Sequence, residues 1–189
     1  MFELIPAVLE KTPETLQKKV AQLPDSLNFI HIDVLEEDVW PLDDWNVPKF
    51  FEAHLMVEHP EAIMKRWVER GAKRIIVHKL SEDVLKYRGQ VEIGLAFELS
   101  TPIEDVLNLA NLADFVHIMS IAEIGEQGHP LDERIFDRIR QVQDKFPNLV
   151  ISVDGGITSL NYHKLVEAGA DRLVVGSHFQ ELWNSLKKN

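Results

Sequence analysis

The chain has 189 residues, 45% of them apolar and 27% charged, with no cysteine and a formal net charge of −11. That length suits one domain with a sizeable core, spanning residues 1–189, and the lack of cysteine excludes disulfides and thiolate metal sites. The acidic balance argues against a nucleic-acid partner, which needs a basic face to displace counterions, and no apolar run reaches membrane-spanning length. The start, Met1-Phe2-Glu3-Leu4-Ile5-Pro6, lacks the basic and apolar regions of a secretory signal, so a cytoplasmic location is expected.

Short apolar runs alternate with amphipathic segments along the chain. Leu4–Leu9 reads as the first strand, followed by a helix whose start is marked by Thr12-Pro13, a hydroxyl cap before a proline. Phe29–Leu35 and Phe51–Val57 are the next two strands. Only Glu36 to Lys49 separates them, and Trp40, Pro41, Trp45 and Pro48 in that stretch predict a loop or single turn in place of the second helix. Arg74–His78 is the fourth strand, with Arg74 and Lys79 flanking it and expected at the surface. The helix after it, between Ser81 and Gly89, is clipped. Glu92–Phe97, Phe115–Ile121, Val150–Val153 and Arg172–Val175 complete the strands. Further helix starts fall at Thr101-Pro102 and at Thr158 or Ser159, and Ile135, Ile139, Val142 and Phe146 share a helical face.

Eight strands alternating with helices predict an α/β fold, a single (β/α)₈ barrel, with an open doubly wound sheet as the competing architecture. The chain is short for such a barrel, and the missing second helix and shortened fourth account for the shortfall. Arg70-Gly71-Ala72-Lys73-Arg74-Ile75-Ile76-Val77 echoes Ala168-Gly169-Ala170-Asp171-Arg172-Leu173-Val174-Val175. Each glycine is placed to end a helix in the left-handed conformation before a buried strand.

Polar residues gather where the predicted strands end. His31 and Asp33 lie at i and i+2 and leave one face of their strand. His54 lies near the end of the third strand, and Asp154 at the end of the seventh. Two imidazoles and two carboxylates converging on one point make a divalent-metal site with built-in acid–base groups. His78 ends the fourth strand near the mouth. His117 shares the face of Met119 and reads as barrel-interior packing. Gly155-Gly156 permits a tight strand-to-helix turn or a phosphate contact.

Taken together, the motifs resemble those of ribulose-phosphate 3-epimerases. The matching segments are His31-Ile32-Asp33-Val34, Glu52-Ala53-His54-Leu55-Met56-Val57-Glu58-His59-Pro60-Glu61, Thr101-Pro102-Ile103-Glu104, Met119-Ser120, Val153-Asp154-Gly155-Gly156-Ile157, Ala168-Gly169-Ala170-Asp171 and Val174-Val175-Gly176-Ser177. The resemblance implies a metal-dependent isomerase of the pentose phosphate pathway that interconverts D-ribulose 5-phosphate and D-xylulose 5-phosphate through an enediolate. It implies one divalent ion (Zn, Fe, Mn or Co) on His31, Asp33, His54 and Asp154, with Asp33 and Asp154 as the acid–base pair that inverts C3. It also places Met56 and Met119 beside the substrate, and the N–H groups of Gly155, Gly156, Gly176 and Ser177 at its phosphate.

Departures from the family pattern keep other readings open. Ala7 stands where the family has serine, Leu35-Glu36-Glu37 where it continues Met-Asp-Gly, and Glu98 where it has asparagine. Ile121-Ala122-Glu123-Ile124-Gly125-Glu126-Gln127-Gly128-His129 replaces an Asn-Pro-Gly phosphate loop. These changes also fit a related sugar-phosphate isomerase, epimerase or lyase with another substrate, or a non-catalytic ligand-binding barrel. Trp40, Trp45, Val47, Phe50 and Phe51 are expected to close the barrel where a helix is missing, with a homo-oligomeric interface as the other reading.

Overall fold

A computed structural model describes residues 2–36, 47–120 and 129–188. Eight parallel strands close into a barrel in sequence order, β1 (Glu3–Leu9), β2 (Phe29–Leu35), β3 (Phe50–Met56), β4 (Arg74–Val77), β5 (Glu92–Glu98), β6 (Phe115–Met119), β7 (Val150–Asp154) and β8 (Arg172–Val175), with β8 pairing back onto β1. The barrel expectation therefore holds, and the open-sheet alternative does not. Among the described residues the helices are α1 (Pro13–Val20), α2 (Glu61–Glu69), α3 (Glu82–Leu85), α4 (Ile103–Leu109), α5 (Arg134–Lys145), α6 (Tyr162–Ala168) and α7 (Phe179–Leu186).

Strand alternation sorts side chains between two environments. Ile30, Ile32, Val34, Ala53, Leu55, Ile75 and Val77 face outward and pack under Leu16, Val20, Met64, Trp67 and Val84 of the helices. On the opposite arc Val116, Ile118, Ile151, Val153, Leu173 and Val175 meet Val106, Ile135, Ile139, Val142, Leu165 and Phe179. The predicted helical face of Ile135, Ile139 and Val142 is thus the buried face of α5. Covering both sheet faces explains why the strands read as near-continuous apolar runs.

Helix ends follow local chemistry. Thr12 caps α1, its Oγ1 accepting from the Thr15 N–H at 3.2 Å while Thr15 Oγ1 accepts from the Thr12 N–H at 3.4 Å. Gly71 and Gly169 hold φ of 91° and 115° after α2 and α6, the left-handed exits their echo implied. The helix after the fourth strand, α3, is one turn, as expected. α6 begins at Tyr162, later than Thr158 or Ser159, because the Thr158 N–H bonds Asn161 Oδ1 at 2.8 Å and forms a turn first. The expected loss of the second helix concerns residues 36–49, most of which lie outside the described residues, together with Trp40 and Trp45. Of the other closing residues, Phe51 is buried against Trp67, Val47 packs on the same cluster, and Phe50 is exposed.

Inside the barrel the strand starts carry an ionic floor. Arg74 donates to Glu3 Oε2 at 2.9 Å and to Glu52 Oε2 at 3.1 Å, and Arg172 donates to Glu92 Oε2 at 3.1 Å. Arg74, expected at the surface, is instead drawn inward by these carboxylates and stacks over Phe29 at 4.3 Å. On the floor, Arg172 lies over the Phe115 ring at 4.7 Å, and Phe115 packs with Ile76 and Ala96 in one apolar cluster. Gly94 makes room for it, since a Cβ there would sit 2.4 Å from Phe115 Cζ. Gly94→Ala is therefore expected to destabilise the fold by about 1–3 kcal/mol through overpacking, measured as a lower urea midpoint at unchanged slope.

Candidate metal centre at the barrel mouth

The side chains singled out by the strand-end pattern meet inside the barrel, with Ile76 in register beside His54 and Ala96 beside His117. β2 delivers His31 and Asp33, β3 Glu52 and His54, β6 His117, and β7 Ser152 and Asp154, all at alternate, inward positions. The register aligns them: Asp33 pairs with His54, His31 with Glu52, His117 with Ser152 and Met119 with Asp154. One ligand atom from each of His31, His54, His117 and Asp154 lies within 4.8 Å of the others. Asp33 joins them through Oδ1, at 3.1 Å from His31 Nε2 and 3.4 Å from His54 Nδ1.

Each of the three imidazoles has one ring nitrogen tied outward and the other turned inward. His31 Nδ1 is 2.8 Å from Glu52 Oε1, whose other oxygen holds Arg74. His54 Nε2 is 2.9 Å from His78 Nε2, and His117 Nδ1 is 3.1 Å from Ser152 Oγ. The inward atoms of two of them, His54 Nδ1 and His117 Nε2, are fully buried and make no well-aligned hydrogen bond, the facing carboxylate oxygens of Asp33 and Asp154 standing off at 3.4 and 3.5 Å. Orphaned buried nitrogens are costly unless something occupies the point they face. An outward N–H to a carboxylate, imidazole or hydroxyl is the arrangement that fixes a metal-binding tautomer. The donor set, borderline imidazole plus carboxylate, fits a divalent transition ion.

The electrostatics fit the same reading. Burial alone lowers the His31 imidazole, but Asp33 and Glu52 overcome it and raise it well above its ordinary value. The rise follows from the place of the ring, with Asp33 Oδ1 3.1 Å from Nε2 and Glu52 Oε1 2.8 Å from Nδ1. Burial, together with the neighbouring imidazoles, lowers His54 and brings His78 to about 4 and His117 to about 3, so all three offer lone pairs at neutral pH. The carboxylates are driven apart. Burial raises Asp154 to about 6, whereas His31 and His54 overcome burial at Asp33 and hold it far below the usual carboxylate range. Loading a divalent ion near pH 7 is expected to release about one proton, that of His31, detectable as a buffer-dependent binding enthalpy. Equal enthalpies in buffers of different ionisation heat would contradict it.

The family model for the ribulose-phosphate 3 epimerase family matches residues 3–180. The chain belongs to this family. It is 33% identical over 137 residues to the ribulose-phosphate 3-epimerase of Aquifex aeolicus (strain VF5), a match covering 67% of this chain and 61% of that protein. The ribulose-phosphate 3-epimerase of Chlamydia muridarum (strain MoPn / Nigg) is 31% identical over 174 residues, covering 80% and 76% of the two chains. Among solved structures, a 3-hexulose-6-phosphate synthase superposes with a TM-score of 0.72 at 14% identity, covering 97% of this chain and 99% of that one, a likeness of fold alone.

The strand-end pattern points to His31, Asp33, His54 and Asp154, and the barrel brings all four together. That pattern does not single out Glu52 or Ser152, and His117, expected in interior packing, joins the cluster. The face-sharing of Glu52 with His54, of Ser152 with Asp154 and of His117 with Met119 was the available signal. Met119 is buried between Glu98 and Asp154 in register, and Met56 ends β3 beside Leu35. Gly155 and Gly156 hold φ of 102° and 64°, and a Cβ on Gly156 would come within 2.3 Å of the Leu131 N atom. Only glycine fits that approach. Ser120 fastens the turn by donating to the Asp154 and Gly155 carbonyls. Gly176 and Ser177 precede α7, with Ser177 Oγ 3.1 Å from His178 Nδ1. The departing loop with Glu123 and Glu126 lies outside the described residues. Among the described residues no helix is long and apolar enough to cross a membrane.

Proposed function

We propose that this chain is a divalent-metal-dependent epimerase that inverts C3 of a pentulose phosphate, interconverting D-ribulose 5-phosphate and D-xylulose 5-phosphate. The observation that carries the reading is a buried cluster of imidazoles and two oppositely tuned carboxylates on facing arcs of one rim. A divalent ion held by His31, Asp33, His54 and Asp154 supplies Lewis acidity to the ketone and acidifies the adjacent C–H bond. Zn, Fe, Mn and Co all suit such ligands.

Asp33, ionised at neutral pH, is placed to take the C3 proton from one face. Asp154, raised to about 6, is placed to deliver a proton to the other. Inversion needs both, since one base returns its proton to the face it came from. Met56 and Met119 give the substrate a polarisable, dry lining. The consecutive positive-φ glycines Gly155 and Gly156, with Gly176 and Ser177 before α7, offer backbone N–H groups to the phosphate. The acidic surface and the family's place in carbohydrate metabolism suit a cytoplasmic enzyme of the pentose phosphate pathway.

One feature favours a second substrate class. A cavity of about 270 Å³ lies between β5 and α4, lined by His78, Glu98, Thr101 and Asp105 and by the apolar Leu95, Phe97, Val106 and Leu109, and it leaves room for the extra hydroxyl-bearing carbon of a longer ketose. Metal-loaded protein incubated with D-ribulose 5-phosphate in D₂O is expected to incorporate one deuterium at C3 and form xylulose 5-phosphate, and chelation is expected to stop both. Exchange only with ketohexose 6-phosphates would favour the second substrate, and no exchange with either would leave a ligand-binding barrel.

A further inference from the structure

We propose that His117 is a third imidazole ligand of the metal centre, oriented by Ser152, so that this chain offers a divalent cation three ring nitrogens instead of the two its strand-end motifs announce. The inference rests on the metal-dependent reading above and adds to it a residue of the sixth strand.

Three independent features point to it. His117 is fully buried, and its Nε2 has no hydrogen-bond partner although it lies 3.5 Å from Asp154 Oδ2. An imidazole that served only to hold Asp154 would close that gap and align its N–H. Second, the Nδ1 of His117 is engaged by Ser152 Oγ at 3.1 Å, on the neighbouring strand and in direct register. With Nδ1–H donating to the hydroxyl, the Nε2 lone pair must face the cluster. Third, the three imidazoles interlock: His117 stacks on His31 at 5.4 Å with planes 13° apart and meets the edge of His54 at 4.9 Å. That packing confines its ring, so the inward nitrogen is fixed before any ion arrives.

The chemical consequence is a nitrogen-rich site. Imidazole donors favour zinc, cobalt, nickel and copper over manganese and magnesium, whose preference is for oxygen. His117 therefore sets metal choice in this chain, with Ser152 as its positioning residue.

The test is cobalt(II) loading of the intact protein followed by proton NMR in H₂O. A ring N–H on a cobalt-bound imidazole is shifted far outside the ordinary range by the paramagnetic ion and disappears in D₂O. The wild type is expected to show three such signals, from His31, His54 and His117, and His117→Leu is expected to show two. Cobalt affinity falls about 100-fold or more in His117→Leu and about 10-fold in Ser152→Ala, whose ligands are all intact. The preference for cobalt over manganese narrows in both. Should His117→Leu not fold, the wild-type signal count and the Ser152→Ala affinity decide. Two signals in the wild type, or affinity unchanged in Ser152→Ala and His117→Leu, overturns the assignment of His117 alone. Failure of the wild type to bind cobalt overturns it together with the metal-dependent function.

Discussion

Asp154→Asn is expected to lower kcat/KM for C3 epimerisation by about 10²–10⁴-fold, the usual range for loss of a general acid–base group. Asp154 ends β7, and its backbone carbonyl is pinned by the Ser120 N–H at 2.8 Å, so the side chain is aimed by the strand and not by the substrate. Burial is the first cause that lifts its carboxyl to about 6, and it equips the group to exchange a proton near neutrality. Asparagine keeps the shape and removes that capacity. The fall is read in kcat, and exchange of the C3 proton with solvent separates loss of chemistry from loss of binding.

Stability moves in the opposite direction. A carboxyl raised from 3.8 to about 6 on folding binds its proton more tightly in the folded state. Its unfavourable contribution therefore grows as pH climbs through that window and is complete above it. Metal-free Asp154→Asn is expected to be at least as stable as the wild type at pH 7.5, and to lose less stability between pH 4 and pH 7. A variant that is both less active and less stable at pH 7.5 would mean that Asp154 serves the fold.

Glu52→Gln carries the largest expected effect on the fold. Glu52 is buried where the ionic floor meets the mouth, with one oxygen on His31 Nδ1 and the other on Arg74. Removing one partner of a buried pair leaves the others uncompensated and costs about 3–5 kcal/mol. The same change takes the carboxylate from behind a metal-facing histidine and is expected to weaken metal binding about 10–100-fold. Burial opposes its ionisation, but His31 and Arg74 prevail and lower the Glu52 carboxyl from 4.5 to about 2. A depressed carboxyl stabilises the fold above its unfolded value, and that stability drains as pH falls from 4.5 towards 2. Urea titrations across that range are expected to show a shallower acid loss in Glu52→Gln than in the wild type. Equal slopes, or a loss below about 1 kcal/mol at pH 7, would contradict the bridging role.

The eight strands were legible because both faces of a barrel sheet are buried, which writes each strand as an apolar run. Their ends were blurred: the fourth strand, expected to reach His78, ends at Val77, and the sixth, expected to run through Ser120, ends at Met119. The metal-facing set was legible as far as it occupied strand ends. His117 and Ser152 were hidden because their depth depends on the stagger between β6 and β7. Alternation tells which side of the wall a residue occupies, but only register tells which neighbour it meets. Arg74 was misplaced for the same reason. A charged residue opening a strand ordinarily stays in water, and nothing local announces that Glu3 and Glu52 receive it from strands 71 and 22 residues away in sequence.

One cation is expected where β2, β3, β6 and β7 converge. Crystals of protein loaded with zinc or cobalt, measured at the absorption edge of that metal, test it directly through the anomalous difference map. A single peak bonded to the inward nitrogens of His31 and His54 and to the carboxylates of Asp33 and Asp154, with His117 Nε2 completing the shell, is the predicted result. A loaded crystal with no peak among those side chains, or with its metal held elsewhere, would contradict it.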